Sequence, residues 1–465
     1  MKLHCCGILP KLAYGPRERR LPLRDCFGPC GRRRHRTKAR RRDKVPRSGP
    51  FAAPARRRLR GALRLNLRRR ATSEPSAERA FRARTIERVA DADPALWNAA
   101  ALAGGPYNPF VDHRFLDALE RSGSVGPGTG WSSTHIVLED ADGGPAGFAP
   151  CYWKSHSQGE YVFDHGFADA YERAGGRYYP KLQVAAPFTP ATGPRLLVPP
   201  GVDRPSAQTA LAAAMRGLMR QGGASSVHVT FATEEERALL VGEGFLPRED
   251  QQFHWRNEAY GSYDDFLGDL ASRKRKQLKR ERRDALADGV SVRHVTGSDL
   301  REAHWDAFFA FYMDTGARKW GRPYLNRRFF SLIGEAMPET ILLVLAERAG
   351  RPIAGALNFI GGDALYGRYW GAIEERPFLH FEVCYHQAID AAIERGLARV
   401  EAGAQGEHKL ARGYRPVVTR SAHLFADPAL SRAVADYLRR ERSYVSVVQD
   451  ALDDASPFRR GDQPV

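Results

Sequence analysis

The chain has 465 residues, of which 43% are hydrophobic and 27% charged, a composition typical of a globular protein with room for about two to three domains. Its net charge of +18 originates in the first 70 residues, where 24 Lys and Arg face three acids, whereas the remainder has 48 basic and 51 acidic residues. The remainder, which we call the body, therefore lacks the excess of positive charge typical of nucleic-acid-binding proteins. Only the N-terminal segment, which we call the arm, has that excess.

The arm, residues 1–84, is rich in arginine and lacks apolar periodicity. Three interpretations stay open. The arm is an organellar transit peptide, an RNA-binding segment, or a disordered stretch or artefact that results from a start codon assigned too far upstream. The body contains two cysteines, Cys151 and Cys384. They form no disulfide framework, and the sequence shows no secretory signal and no apolar stretch of membrane-spanning length. We therefore expect a cytoplasmic protein.

The first half of the body, residues 85–260, alternates predicted strands and helices. His135–Glu139 and Ala146–Trp153 form a predicted hairpin around a Gly turn. A helix follows over Ser206–Gln221, with a strand at Val227–Phe231. A short helix and a strand near Phe253–Arg256 end this half.

The second half, residues 261–447, precedes a tail at 448–465. Ser272 is predicted to cap a basic helix that Gly289 ends. After an aromatic helix over His304–Tyr312 we expect strands over Ile341–Leu345, Ile353–Ile360 and Leu365–Trp370, a helix ending at Gly396, and a strand at Val400–Ala404.

Two segments repeat one pattern, HIVLEDADGGPAGFAPCYWKS from His135 and ILLVLAERAGRPIAGALNFIG from Ile341. Each has a strand, a charged Gly turn and a strand that opens with Ala-Gly. Gly147 and Gly355 take equivalent places in the two copies. The pattern predicts a duplicated α/β domain.

Several motifs resemble the FemAB-like family, which is built as two fused GNAT-like domains. They are NPFVDHRFLDALERSGSVGPGTGW, GEYVFDHGFADAYERAGGRYYPKLQVAAPFTPATG, SRKRKQLKRERR, LYGRYWGAIEERPFLHFEVCYHQAI and EAGAQGEHKLARGY. The resemblance implies mixed α/β sheets in tandem GNAT-like acyltransferase domains, with a cleft between them. It also implies transfer of an acyl or aminoacyl group to an amine by direct attack.

The resemblance places the first candidate catalytic residues at Glu407-His408-Lys409, after a strand and the Gly406 turn. Lys409 would polarise a carbonyl or contact a phosphate, and Glu407 or His408 would act as the base. The alternative is a solvated polar loop. Glu382 and His386, four residues apart, are expected on one helix face as a base and its orienting group or as a structural pair.

Further candidates lie on strands and loops. Arg368, Tyr369 and Trp370 are expected on a strand, where Arg368 within an apolar stretch suggests an anionic partner, and His380 begins the next helix. In the first half, Asp164 and His165 are expected at a strand end, with Asp164 as the alternative base. Lys181 is expected in a long channel-lining loop from Gly166 to Gly193.

The donor is acyl-CoA or aminoacyl-tRNA as co-substrate. Acetyl-CoA enzymes of the GNAT type place a Gly-rich loop before the central helix, but the corresponding stretch from Arg376 to Phe381 has no glycine. The basic helix at Arg273–Arg283 is either a solvated face or a contact for CoA phosphates or tRNA. No metal is expected. The competing interpretation is a non-catalytic recognition module that binds a cell-wall precursor or RNA.

Overall fold

A computed structural model describes residues 81–319, 323–404 and 406–459. Residues 1–80 of the arm lie outside these residues, and the three interpretations of the arm stay predictions. The last residues of the predicted arm, from Arg82, belong to a strand. Within them, no helix is both long and apolar enough to cross a membrane.

The chain from Arg82 to Asp454 alternates strands and helices. The strands are β1 (Arg82–Ile86), β2 (Trp131–Ser133), β3 (His135–Glu139), β4 (Pro145–Ala149), β5 (Cys151–Lys154), β6 (Lys181–Val184), β7 (Ser226–Val229), β8 (Leu246–Arg256), β9 (Val290–Thr296), β10 (Ile341–Arg348), β11 (Arg351–Ile360), β12 (Ala364–Ala372), β13 (Arg399–Glu401) and β14 (Arg415–Phe425). The helices are α1 (Pro94–Leu102), α2 (His113–Ser122), α3 (His165–Arg173), α4 (Arg204–Gly222), α5 (Glu234–Gly242), α6 (Tyr263–Asp269), α7 (Ser272–Ala285), α8 (Glu302–Lys319), α9 (Arg327–Ala336), α10 (Leu379–Phe381), α11 (Gln387–Glu394) and α12 (Pro428–Asp454).

Two mixed α/β halves share one sheet. Eleven strands within the described residues are ordered β2-β5-β6-β7-β14-β8-β13-β12-β11-β10-β9, and β1, β3 and β4 form a separate small sheet. The halves exchange strands: β14, from the end of the chain, lies between β7 and β8, and β8 pairs with β13 of the second half. The sheet therefore continues without a break across the boundary predicted near residue 260.

The centre of the second half is a pair of strands buried on both faces. Along β10, Ile341, Leu343 and Leu345 belong to one hydrophobic cluster. Leu342, Val344 and Ala346 belong to another on the opposite face. Successive side chains of a strand point to opposite faces, and a strand covered on both sides needs apolar residues at every position. The continuous apolar run of β10 satisfies this requirement, with helix α8 on one face and α11 on the other.

Both predicted hairpins are confirmed, but they lie in different sheets. β3 pairs with β4 in the small sheet, and β10 pairs with β11 in the large one. Gly147 lies opposite Leu138, and Gly355 lies opposite Leu345. A Cβ atom at Gly147 would come within 3.3 Å of the Leu197 carbonyl oxygen, and one at Gly355 within 3.1 Å of Leu345. Close approach of neighbouring groups therefore explains the glycine in each copy.

Several local predictions were wrong. Asp164 and His165 do not end a strand, because His165 begins α3, whose Phe167 and Ala168 pack in a cluster with α12. The predicted long loop up to Gly193 contains α3 and β6, and Lys181 is the first residue of β6.

The limits of two helices also differ from the prediction. Ser272 is the first residue of α7 rather than its cap, and α7 ends at Ala285, before the Gly289 turn. Helix α12 also continues past residue 447, the predicted end of the second half, into the predicted tail at 448–465.

Candidate active site

The sheet of the second half opens where β12 and β13 diverge. The two strands pair in parallel through only three residues of each, Ala364–Tyr366 with Arg399–Glu401. The next residue, Gly367, would bring a Cβ atom to 3.5 Å from the Glu401 carbonyl oxygen. The remainder of β12, from Gly367 to Ala372, has no ladder partner in β13. The divergence leaves the backbone groups of β12 beyond Tyr366 without partners in β13, and we call this gap between the two strands the opening.

A β-bulge in β12 lies at the same position. Asn358 of β11 is opposite Gly367 and Leu357 is opposite Tyr369, which leaves Arg368 as the extra residue. Bulges bend a strand and redirect its side chains, and they are frequent beside active sites. The bulge thus accounts for both the divergence of the strands and the orientation of Arg368.

Arg368 and Tyr369 connect the opening to the first half. The guanidinium of Arg368 donates to the Phe188 carbonyl oxygen at 3.1 Å, and the Tyr369 hydroxyl donates to the same oxygen at 3.0 Å. The Arg368 guanidinium also lies 6.0 Å from the ring of Tyr161. Among the described residues the Arg368 guanidinium thus contacts a carbonyl oxygen and aromatic rings, and the anionic partner expected for it stays a prediction.

An aromatic stack marks the edge of this junction. The ring of Phe188 stacks on Tyr324, with centroids 4.9 Å apart and an interplanar angle of 9°. Tyr324 comes from the second half and is 39% exposed. The junction is thus accessible from solvent at Tyr324.

Lys409 is buried beside the opening. It lies on a short 3-10 helix, Glu407–Arg412. Its ammonium donates to the carbonyl oxygens of Ala402 and Gly403, the latter at 3.0 Å, in the segment that continues β13. Burial, opposed by Cys384 and reinforced by the charge of Arg368, lowers the pKa of Lys409 to about 8. The side chain of Glu407 lies outside the described part of the chain.

A group of rings surrounds His408. Its Nε2 is 3.0 Å from the Tyr385 hydroxyl. The ring of His380 lies 5.4 Å from Tyr385 and 6.2 Å from His408, and Trp370 lies 5.0 Å from His380. The structure therefore brings together four of the predicted site residues, Trp370, His380, His408 and Lys409.

Glu382 and His386 do not form the expected pair. The segment Glu382–His386 is a π-helical turn, which changes the four-residue register assumed from the sequence. Glu382 is buried and accepts hydrogen bonds from Arg282 at 3.0 Å and Gln387 at 2.7 Å. Burial raises the pKa of Glu382, and Arg282 opposes the rise. These contacts give Glu382 a structural role between helices.

The first-half candidates form a separate buried cluster. The Lys181 ammonium lies 2.6 Å from Asp164 and 3.2 Å from Glu160. Burial alone would raise the pKa of Asp164, but the charge of Lys181 and the hydrogen bonds to the carboxylate hold it far below its ordinary value. A carboxylate held this firmly in its charged form is a poor general base. His165 is exposed and stacks on Phe163 at 6.4 Å.

Sequence reasoning missed two members of this cluster. Lys154 faces Lys181 across the β5–β6 ladder, and its ammonium lies 3.4 Å from Glu160 and 3.7 Å above the ring of Trp131. Burial lowers the pKa of Lys154 to about 7. The one feature of the sequence that could have indicated Lys154 is its position at the end of the apolar strand Cys151–Lys154. Nothing in the sequence indicated that Glu160 folds back onto it.

Among residues 81–319, 323–404 and 406–459, no group of three or more His, Cys, Asp or Glu side chains is arranged to hold a metal ion.

Comparisons with known proteins agree with this architecture. A family model described as FemAB-like, peptidoglycan biosynthesis/recognition, matches residues 88–460. No curated protein matches the sequence.

The chain is similar to several solved structures at low sequence identity. FemX is 13% identical with a TM-score of 0.48, over 74% of this chain and 98% of FemX. L-PGS from Bacillus licheniformis is 11% identical with a TM-score of 0.42, over 72% and 98% of the two chains. A tandem GNAT protein from the clavulanic acid biosynthesis pathway is 13% identical with a TM-score of 0.39, over 75% and 99%.

Proposed function

Because the chain belongs to the FemAB-like family, we propose that it transfers an acyl or aminoacyl group to an amine at the opening between β12 and β13. The observation that supports this most is the position of Lys409. An ammonium group has three N–H donors, and two of those of Lys409 are used by the carbonyls of Ala402 and Gly403. The third has no hydrogen-bond acceptor among the described residues, where the ammonium otherwise lies 6.0 Å from the ring of Phe253, and in this proposal it binds a substrate oxygen.

Lys409 then acts as an electrostatic stabiliser. In acyl transfer the amine nitrogen attacks the carbonyl carbon, and negative charge develops on the carbonyl oxygen. A donor held in place by two main-chain carbonyls needs little reorganisation when that charge appears. With its pKa lowered only to about 8, Lys409 remains mostly protonated at neutral pH, as this role requires.

His408 is the proposed base. Its ring is exposed, and its Nε2 is hydrogen-bonded to the Tyr385 hydroxyl, which fixes the orientation of the imidazole. The N–C bond forms as the C–S or C–O bond to the donor breaks. The amine proton passes to His408, and protonated His408 then gives it to the leaving thiolate or ribose alkoxide. Glu407 remains a second candidate for the base.

The donor is acyl-CoA or aminoacyl-tRNA. The turn from Arg376 to Phe381 stands where acetyl-CoA enzymes have a Gly-rich loop. In this turn the Arg376 guanidinium donates to the Asp288 carboxylate at 2.7 Å, and the backbone of Phe378 adopts a left-handed conformation with φ of 61° before α10. Such a turn does not provide the open row of backbone N–H groups that cradles a pyrophosphate. This observation favours the aminoacyl-tRNA donor.

The test measures transfer and donor binding together. Purified full-length protein is incubated with labelled acetyl-CoA, longer acyl-CoAs or aminoacyl-tRNA and a panel of amines that includes lysine-containing peptidoglycan stem peptides. Lys409→Met should abolish transfer, and His408→Ala should reduce it about 10²- to 10⁴-fold. Lys279→Met is the matched control, because Lys279 is exposed and pairs with Asp264. Full activity in both Lys409→Met and His408→Ala would remove this site from catalysis.

The competing function is non-catalytic recognition of a cell-wall precursor or RNA. The glycine-free turn from Arg376 to Phe381 is the observation in its favour. A thermal shift separates the two functions, because a ligand at about 100 times its Kd stabilises the folded state by about 2.7 kcal/mol. Stabilisation by stem peptide alone, with no transfer from any donor, would favour recognition.

A further inference from the structure

Helix α7 concentrates positive charge beside the candidate site. Its fourteen residues include eight Lys and Arg and two acids. The sequence after residue 70 has a slight excess of acids, with 51 acidic and 48 basic residues. The positive charge of α7 therefore differs from that of the surrounding body, and the transfer chemistry proposed for Lys409 and His408 does not require it.

One side of α7 is attached to the elements that form the site. Glu281 accepts a hydrogen bond from Arg412 at 2.7 Å, and Arg412 lies on the 3-10 helix of Lys409. Arg282 donates to Glu382 at 3.0 Å, in the turn that also contains Tyr385. A ligand held on α7 is thus held at a fixed position relative to Lys409 and His408.

The other side of α7 presents an exposed basic face. Arg273, Lys276 and Arg280 are all exposed, and their spacing of three and four residues places them on one face of the helix. In the part of the chain that the structure describes, the side chains of these three residues make no hydrogen bond and no ion pair. The other exposed cations of the helix differ: Lys279 pairs with Asp264, and Arg283 pairs with Asp284.

The dimensions of this face indicate the kind of anion. Seven residues of helix rise about 10.5 Å, so the three cations form a row longer than a pyrophosphate group. Like charges at this spacing repel each other, and a polyanion relieves that repulsion. Within α7 the large apolar residue Leu278 is buried, which leaves no apolar side chain to insert into a membrane.

We propose that Arg273, Lys276 and Arg280 bind the phosphodiester backbone of an RNA, which in the proposed reaction is the tRNA of the donor. The RNA identity rests on the proposed function, whereas the phosphate contacts rest on the helix alone. Phosphate contacts of this kind are independent of sequence, and each releases counterions. The binding therefore weakens steeply as salt concentration rises.

The experiment measures uncharged tRNA binding to the full-length protein by fluorescence anisotropy over a series of salt concentrations. The arm is itself strongly basic, and it is kept in every variant. The test variant is Arg273→Gln/Lys276→Gln/Arg280→Gln. The matched control is Arg432→Gln/Arg439→Gln/Arg440→Gln, which removes the same charge from exposed positions of α12. Thermal unfolding of both variants verifies that they fold.

We expect the test variant to bind tRNA about tenfold more weakly, and the slope of log K against log salt to decrease in magnitude by about 2 to 3. The control should keep the affinity and slope of the unaltered protein. Equal affinity and slope in the test variant and the unaltered protein would overturn the proposal. A loss confined to binding of phosphatidylglycerol-containing vesicles, with tRNA binding intact, would also overturn it in favour of a membrane surface.

Uncharged tRNA has no acyl group to transfer. This binding result consequently stands whether or not the chain is a transferase. If the proposed function is wrong, the protein should transfer no group from any donor, while its binding of tRNA should still depend on α7.

Discussion

Arg412 and Glu281 form a buried ion pair between the 3-10 helix of the candidate site and α7. Their side chains are 4% and 3% exposed, and the guanidinium lies 2.7 Å from the carboxylate. Arg412 also donates to the His408 carbonyl oxygen and lies 3.3 Å above the ring of Phe381. The pair therefore determines where the backbone of His408 and Lys409 lies.

Removing Arg412 should be costly. We expect Arg412→Met to lower the free energy of unfolding by about 3 to 5 kcal/mol, because it leaves the carboxylate of Glu281 buried without its cation. Urea denaturation followed by circular dichroism measures this loss. The double variant Glu281→Leu/Arg412→Met should recover most of it, since neither charge then remains. A double variant as unstable as the sum of its single variants would contradict the argument.

The pH dependence of transfer should report the ionisation of Lys409. Burial lowers the pKa of Lys409 to about 8, and the proposed role needs the protonated form. Raising pH through about 8 should therefore decrease kcat/KM, approaching tenfold per pH unit. Arg stays protonated throughout this range, so Lys409→Arg should lose this decrease, provided it retains some activity. A wild-type profile that stays flat from pH 7 to 10 would exclude a catalytic ammonium at this position.

Lys154 should make stability depend on pH in the alkaline range. Burial lowers its pKa to about 7, from an ordinary value of 10.5. Between these two values the unfolded state binds the proton more strongly than the folded state, and stability contributed by this residue rises with pH. The slope is at most about 1.4 kcal/mol per pH unit.

The comparison variant is Lys154→Met, with urea unfolding measured at pH 7, 8, 9 and 10. We expect the unfolding free energy of the unaltered protein to increase with pH relative to that of Lys154→Met. Subtracting the two curves removes the contribution of other titrating groups. Parallel curves over this range would show that Lys154 is charged in the folded state.

Local patterns predicted the second half well and the first half less well. β10 and β11 were predicted because a continuous apolar run and a Gly350 turn are visible in adjacent residues. The resemblance named His408 and Lys409 as candidates, but nothing in the sequence indicated that the rings of Trp370, His380 and His408 lie together. The pairing of Glu382 with His386 was wrongly predicted because the sequence does not reveal the π-helical turn that changes their register.

Long-range pairings were beyond the sequence. Ala422 of β14 pairs with Val229 of β7, and no local pattern specifies that partner. The ion pairs of Lys154 and Lys181 likewise depend on the return of Glu160 to the sheet. Helix α12 was also missed, although Asp427 and Pro428 are a recognisable helix start.

The strand exchange predicts that the two halves fold as one unit. β14 completes the sheet of the first half between β7 and β8, and β8 completes that of the second half beside β13. Without β14, the edge of β7 and one edge of β8 would present unpaired backbone groups, which favour aggregation. Residues 81–260 expressed alone should therefore be insoluble or unfolded.

Co-expression provides the decisive comparison. Residues 81–260 and 261–459 produced together should associate and regain native circular dichroism, because each fragment supplies a strand that the other lacks. The unaltered chain should unfold in urea in a single transition by both tryptophan fluorescence and circular dichroism. Two separate transitions, or a stable, folded first fragment, would show that the boundary near residue 260 divides independent domains and that the exchanged strands contribute little to either.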